Sequence, residues 1–119
     1  MKIQIKRVYE PADHTDGYRV LVDRLWPRGL TKESAAVDEW LRDIAPSAEL
    51  RRWFGHEPER WTDFKRRYLD ELHNEPAAAA LERLREVAAR QRVTLLYGAK
   101  DEAHNNAVVL LGLFKVPLA

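Results

Sequence analysis

The most informative absence in this 119-residue sequence is cysteine, which does not occur at all. Without a thiol the chain cannot form disulfides, thiolate nucleophiles, cysteine zinc sites or iron–sulfur clusters. The four histidines are scattered, and His56 does not begin an H-E-x-x-H zinc motif, because Arg60 stands where the second histidine belongs. With only five glycines there is also no glycine-rich phosphate loop. We therefore predict no metal site and no cofactor.

The sequence also has little net charge and no long apolar run. The sequence carries 20 Lys and Arg residues against 19 Asp and Glu residues, a net charge of +1, which excludes a strongly basic nucleic-acid module. No apolar run approaches the roughly 18 to 20 residues that a membrane span needs, and Met1–Gln4 begins as alternating strand sequence rather than as a signal-peptide core. We expect a cytoplasmic protein without membrane contact.

The residues that are present predict a single folded α/β domain over residues 1–119. Hydrophobic residues make up 45% of the chain and include four Trp, which is too apolar for a disordered protein of so little charge. Alternating or apolar runs predict strands over Met1–Tyr9, Tyr18–Asp23 and Val93–Gly98. Spacings of three and four predict helices over the following segments: Val37–Asp43, Ser47–Gly55, a longer helix opened by Pro58, an Ala-rich helix from Pro76 to Gln91, and a last helix capped by Asp101.

Three segments carry a family resemblance: DGYRVLVDRLWPRGLTKE at 16–33, DEWLRDIAPSAELRRWFGHEPERW at 38–61 and LLYGAKDEAHNNAVVL at 95–110. Together they resemble the YeaO-like proteins, a bacterial branch of the domain of unknown function 488. The resemblance implies a small α/β fold, in two or three layers, with a short, mainly parallel sheet flanked by helices; it implies no established activity. In the wider family a Cys stands near the end of the last strand and a Cys-His-Arg run follows it. The matching positions here are Tyr97 and 105–107, Asn-Asn-Ala, so any thiol chemistry lacks its residues.

A first candidate site is the stretch 24–32, which contains no acid. A turn made by a proline and a glycine would hold Arg24 and Arg28 rigidly, and the planar guanidinium group suits phosphate or carboxylate. The alternative is that Arg24 pairs with a neighbouring carboxylate as a structural residue. Trp26 is a further candidate for ligand contact, although its pattern favours a place in the core.

A second candidate is the turn after the strand at 93–98. At the carboxyl end of a strand and the amino end of a helix, backbone N–H groups favour an anion, and Lys100 adds a cation. Asp101 and His104 are three residues apart and can meet as an orienting carboxylate and a general base, with Asn105 behind them. The simpler interpretation makes Asp101 only a helix N-cap.

The helical middle of the chain offers a third candidate. Trp53 and His56 can wall a ligand cleft, since indole and imidazole stack on rings, although the aromatic residues here also suit a core. The same region carries bases that alternate with aromatics as on nucleic-acid surfaces, namely Arg51, Arg52, Arg66 and Arg67. Acids balance these bases, which favours a solvated amphipathic pair of helices.

The sequence thus predicts a protein that binds a small phosphate- or carboxylate-bearing ligand at the carboxyl edge of its sheet, either without catalysis or with His104 as an acid/base. The rival hypothesis is a non-catalytic nucleic-acid or protein-interaction module. The first hypothesis requires the strands at 18–23 and 93–98 to run parallel, because only then do both candidate groups share one edge. It also predicts a concave pocket, whereas the rival predicts exposed Trp and Arg on a flat face.

Overall fold

The fold is organised around four short strands in the computed structural model, which describes residues 2–115. The strands are β1 (Ile3–Arg7), β2 (Tyr18–Leu21), β3 (Glu39–Trp40) and β4 (Val93–Tyr97). Their order in the sheet is β1-β4-β2-β3, and every neighbouring pair is parallel. The predicted α/β class and parallel sheet are confirmed.

The described residues also form five α-helices: α1 (Lys32–Ala35), α2 (Ala48–Phe54), α3 (Trp61–Glu71), α4 (Ala77–Arg90) and α5 (Asn106–Lys115). Local signals set their ends. The Oγ atom of Ser47 accepts a hydrogen bond from the Leu50 amide at 3.1 Å and caps α2, and Gly55 ends that helix with a φ of +51°. None of the helices within residues 2–115 combines the length and the apolar character needed to cross a membrane.

The predicted helix over Val37–Asp43 is wrong. Glu39–Trp40 forms the edge strand β3, and a 3₁₀ turn over Arg42–Ile44 follows it. The apolar spacing fits a helix, but pairing with β2 prevails: the Leu41 amide donates to the Leu21 carbonyl at 2.9 Å. A tertiary contact that the local pattern does not encode overrides the helical period.

The start of the last helix also differs from the prediction. Asp101 does not cap α5, which begins at Asn106. The Oδ1 atom of Asn105 accepts the Val108 amide at 3.1 Å and takes the cap position instead. Asp101 caps a separate turn, in which its Oδ1 accepts the amides of Ala103 and His104 at 2.9 and 3.1 Å.

The core lies on both faces of the sheet but unequally. Side chains alternate along each strand, so Val20 and Leu95 face the larger cluster, which is formed with helices α2 to α5. Leu21 and Leu96 face a smaller cluster on the other side, covered by Ala35 of α1 and the loops around it. All five residues of β4 are buried, which is typical of a parallel strand that is covered on both faces.

Candidate functional site

The carboxyl ends of β2 and β4 lie side by side. Tyr18 pairs with Val93 and Leu21 with Leu96 in parallel register, so both strands end at the same edge of the sheet. The parallel alignment on which the site hypothesis depends is thereby confirmed. A cavity of about 570 Å³ opens at this edge, lined by residues that follow β2, by α2 and by the turn after β4.

Most of the predicted site residues are placed at this cavity. Three of them do not line it: Lys100, Trp53 and Asp101. Lys100 is exposed and Trp53 is half-buried, whereas Asp101 contacts His104, which does line the cavity. The predicted residues that line the cavity come from all three candidate segments: Arg24, Trp26, Arg28, His56, His104 and Asn105.

Arg24 combines a structural role with its place in the wall. Its Nε donates to the Pro46 carbonyl at 3.2 Å and its Nη2 to the Ala45 carbonyl at 3.3 Å. These carbonyls, rather than the neighbouring carboxylate of Asp23, are its partners. A guanidinium group has five N–H donors, so Arg24 fixes the 45–46 turn and still presents positive charge to the cavity.

Arg28 and Arg51 supply two further cations. The Arg28 turn is anchored by the Tyr9 hydroxyl, which donates to the Arg28 carbonyl at 3.0 Å. Arg51 lies on α2, and both arginines are exposed at the cavity. The sequence associated Arg51 with a possible nucleic-acid surface, because the packing that turns α2 toward the sheet edge is not visible in the sequence.

That packing depends on the start of α2. The backbone N–H and the Oγ–H of Ser47 both donate to the carboxylate of Glu71, at 2.8 and 2.6 Å. The first turn of α2 is thus tied to the end of α3. This connection holds Arg51 and Phe54 against the cavity.

Trp26 contributes to both the core and the cavity. Its Nε1 donates to the Leu30 carbonyl at 2.7 Å, and its ring packs edge-on against Trp40 with centroids 5.5 Å apart. The predicted core packing is present, and one side of the same residue still faces the cavity. The indole is therefore a rigid wall.

Asp101 and His104 form the pair that their spacing predicted. Oδ2 of Asp101 lies 2.9 Å from Nδ1 of His104, while Oδ1 holds the backbone of the same turn. The hydrogen bond from the imidazole and those from the Ala103 and His104 amides hold the pKa of Asp101 below its usual value. A carboxylate at Nδ1 fixes the neutral ring with its proton on that atom, so Nε2 remains as an acceptor.

A second contact holds the His104 ring. The indole of Trp61 meets it edge-on, with centroids 5.2 Å apart. Asp101 orients the imidazole from one side and Trp61 from another, while His104 lines the cavity. The side chain remains 32% exposed, so a ligand can reach it.

Aromatic side chains form the apolar part of the cavity wall. Phe54 and Phe64 stack with centroids 4.5 Å apart and both line the cavity. His56 follows with a φ of +57°, a left-handed conformation that is uncommon outside glycine. Trp53 packs elsewhere, since the guanidinium groups of Arg67 and Arg60 lie 4.2 and 5.4 Å from its ring centroid.

Asp23 is another lining residue that the sequence did not indicate as part of the site. It follows β2 directly, and its Oδ2 accepts the Gly98 amide at 2.8 Å, which ties the ends of β2 and β4 together. Burial raises the pKa of Asp23 above its usual value, although the Gly98 amide, the Asn106 side chain and the charge of Arg51 lower it. An Asp after a strand is common in turns, so the sequence gives no sign that this one lies in the cavity wall. Only the tertiary structure places it there.

Asn105 and Asn106 connect the cavity to α5. The Asn105 Nδ2 donates to the Asp101 carbonyl at 2.9 Å, and the Asn106 Nδ2 donates to the Val22 carbonyl at 2.8 Å. These bonds fix the amino end of α5 beside the end of β2. Within residues 2–115, no group of three or more His, Asp or Glu side chains is arranged to hold a metal ion.

A family model described as the inactive DUF488-N3 subclade matches residues 2–119. The chain belongs to this DUF488 subclade. It is 49% identical to the uncharacterized protein YeaO of Escherichia coli over 110 residues, which cover 92% of this chain and 94% of that protein. It is also 45% identical to an uncharacterized protein of Mycobacterium tuberculosis over 112 residues, 94% of this chain and 92% of the relative.

The DUF488 match confirms the resemblance on which the YeaO-like assignment was based. An uncharacterized protein of Mycobacterium bovis shows the same 45% identity over 112 residues, covering 94% of this chain and 92% of its own length. No solved structure matches the chain significantly.

Proposed function

We propose that this DUF488 protein binds a small phosphate- or carboxylate-bearing ligand in the cavity at the carboxyl edge of its sheet. The observation that carries the proposal is the convergence of three guanidinium groups, those of Arg24, Arg28 and Arg51, on one concave site. Among the described residues that line this cavity, Asp23 contributes the one carboxyl group. The site therefore carries an excess of positive charge in a protein whose net charge is only +1.

The position of the cavity supports the same proposal. Open α/β sheets bind ligands outside the carboxyl ends of their strands, and the amino end of a helix favours negative charge. Here α5 begins at Asn106, which lines the cavity. The aromatic wall formed by Trp26, Phe54 and Phe64 favours a ligand that carries a flat or apolar part beside its anionic group.

Binding without catalysis is the form of the proposal that we favour. The subclade is described as inactive, and by the resemblance Tyr97 and Asn105 occupy positions where the wider family has thiols. The oriented imidazole of His104 still gives the site a hydrogen-bond acceptor at Nε2, and it is the group that would move a proton if the ligand reacts.

The rival nucleic-acid module receives less support. Trp53, one of the aromatics that alternate with its bases, has Arg60 and Arg67 against its ring, and Arg66 forms an ion pair with Asp63 at 3.2 Å. Stacking on nucleic-acid bases needs a free ring face and unpaired cations.

Calorimetric titration and thermal shift test the proposal, with inorganic phosphate, phenyl phosphate and benzoate as probes. We expect at least one probe to bind and raise Tm, and Arg28→Ala and Arg51→Ala each to weaken that binding by about tenfold, the effect of losing one charge-assisted hydrogen bond. Raising the salt concentration should weaken it as well.

Arg66→Ala is the matched control, because it removes an exposed arginine of α3 outside the cavity. It should leave probe affinity unchanged. If no probe binds, or if Arg66→Ala weakens binding as much as Arg28→Ala, the cavity is not an anion site. Binding of short DNA or RNA at low salt that depends on Arg66 and Arg67 would instead favour the rival module.

A further inference from the structure

Asp23 is held in the cavity wall by bonds at both its main chain and its side chain. Its carbonyl accepts the indole Nε1–H of Trp40 at 2.7 Å, and its Oδ2 accepts the Gly98 amide at 2.8 Å. The residue comes directly after the fully buried Val22. Its carboxyl group is therefore a fixed feature of the site rather than a mobile surface acid.

The carboxyl group of Asp23 is not part of an ion pair closer than 4.0 Å among the residues that the structure describes. The adjacent Arg24 directs Nε and Nη2 to backbone carbonyls of the 45–46 turn instead. A partly buried carboxylate is costly when its charge is only partly compensated, and burial raises the pKa of Asp23 although the Gly98 amide, the Asn106 side chain and the charge of Arg51 lower it.

We infer that the ligand is a zwitterion, with a protonated amine that Asp23 receives and an anionic group that Arg28 and Arg51 receive. This inference rests on the proposed function and names its ligand class. It uses both signs of charge in the cavity: the amine gives Asp23 a cation at ion-pair distance, which no side chain of residues 2–115 does, and the guanidinium groups bind the anion. An aromatic or aliphatic body would lie against Phe54 and Phe64.

Matched probe pairs separate this inference from simple anion binding. Phenylalanine and 3-phenylpropionate share a ring and a carboxylate but differ in the amine, and phosphoethanolamine and ethyl phosphate form the corresponding phosphate pair. Calorimetric titration at neutral pH should give about tenfold tighter binding of the amine-bearing member of at least one pair. In Asp23→Asn, which keeps an oxygen acceptor for the Gly98 amide, this preference should disappear while the amine-free member still binds.

The control is Asp43→Asn, which removes an exposed carboxylate outside the cavity and should preserve the preference. Equal binding of both members to the wild type, or an unchanged preference in Asp23→Asn, overturns the zwitterion inference but leaves anion binding in place if Arg28→Ala still weakens it. Failure of all four probes to bind overturns both. The wild-type comparison decides the inference even if Asp23→Asn does not fold.

Discussion

Nδ1 of His104 lies 2.9 Å from Oδ2 of Asp101, while Oδ1 of the same carboxylate accepts two backbone amides of the turn. Of the two functions that the sequence suggested for Asp101, orienting His104 is present, whereas capping the last helix is wrong, because the carboxylate binds the amides of the turn before α5. It caps a turn, and it orients an imidazole toward the cavity. The carboxylate needs its full charge for both, which agrees with its lowered pKa.

Replacing His104 should therefore raise the pKa of Asp101. The hydrogen bond from the imidazole is the largest cause of the lowered pKa, so His104→Ala removes it and leaves the amide bonds of Ala103 and His104. A ¹³C NMR titration of the carboxyl carbon checks this directly. His14→Ala, which removes an imidazole next to Asp13 in a distant loop, is the control and should leave Asp101 unchanged.

The consequence for stability follows from the direction of the shift. A carboxyl group with a lowered pKa in the folded state stabilises the fold above its usual pKa, and this contribution is lost as the pH falls through the folded-state value. His104→Ala should reduce that part of the acid dependence. If the pKa of Asp101 is unchanged in His104→Ala, the backbone amides alone lower it.

Asp23→Asn should show the opposite pH dependence. Because burial raises the pKa of Asp23, its ionisation disfavours the folded state, and wild-type stability falls as the pH rises from about 3.8 through the raised value. We expect Asp23→Asn to be at least as stable as the wild type at pH 7. Its free energy of unfolding relative to the wild type should increase as the pH rises across that window. Urea unfolding of both proteins at several pH values measures the difference.

Asp43→Asn is the control for this series, since it removes an exposed carboxyl group outside the cavity. A constant loss of stability in Asp23→Asn at every pH would mean that the Gly98 hydrogen bond outweighs the cost of burial. If Asp23→Asn is more stable than the wild type but binds the ligand more weakly, Asp23 is a residue that the protein keeps for function at the expense of stability.

The sequence predicted those parts of the fold whose causes are local. Ser47 caps α2 and Gly55 ends it because side-chain acceptors and left-handed glycine act within a few residues. The apolar run at 93–98 predicted a strand from its residue types alone, and the strand forms over Val93–Tyr97. The edge strand at Glu39–Trp40 was missed, because its pairing with β2 depends on the rest of the fold.

The sequence could place the candidate site only in outline. Arg28 and His104 share a cavity because two parallel strands end together, and the sequence alone could state this only as a condition. Asp23 and Arg51 were missed as partners in that cavity, since an acid after a strand and a base on a helix are ordinary surface sequence. Their role depends on tertiary packing that no local pattern records.

His56 should carry backbone strain that glycine relieves. Its φ of +57° costs a residue with a side chain about 1 kcal/mol relative to glycine. We expect His56→Gly to be more stable than His56→Ala by about that amount, since both lose the imidazole and only glycine relaxes the backbone. Chemical denaturation measures the difference.

Comparing the two variants also separates strain from ligand contact. If the imidazole contacts the ligand, both variants should weaken phenyl phosphate binding to the same extent. Equal stability of His56→Gly and His56→Ala would show that the left-handed conformation is not strained here. Weaker binding in His56→Gly alone would mean that the rigid backbone, rather than the imidazole, shapes the cavity.

Gly17 controls the opposite end of the β2–β4 pair. The Tyr18 amide donates to the Arg92 carbonyl at 2.9 Å, and a Cβ at Gly17 would lie 2.4 Å from that carbonyl oxygen, with a φ of +68°. Gly17→Ala must therefore displace backbone as well as adopt a strained conformation, and we expect a loss of about 2 to 4 kcal/mol in the free energy of unfolding.

Gly29→Ala provides the matched comparison for Gly17→Ala. Gly29 has a φ of +84°, but a Cβ there meets nothing within 4 Å, so only the conformational cost of about 1 kcal/mol applies. In urea unfolding, Gly17→Ala should therefore lose more free energy of unfolding than Gly29→Ala. Equal losses would show that the Arg92 carbonyl yields easily, and that the start of the β2–β4 pairing is less rigid than its close contact with Gly17 implies.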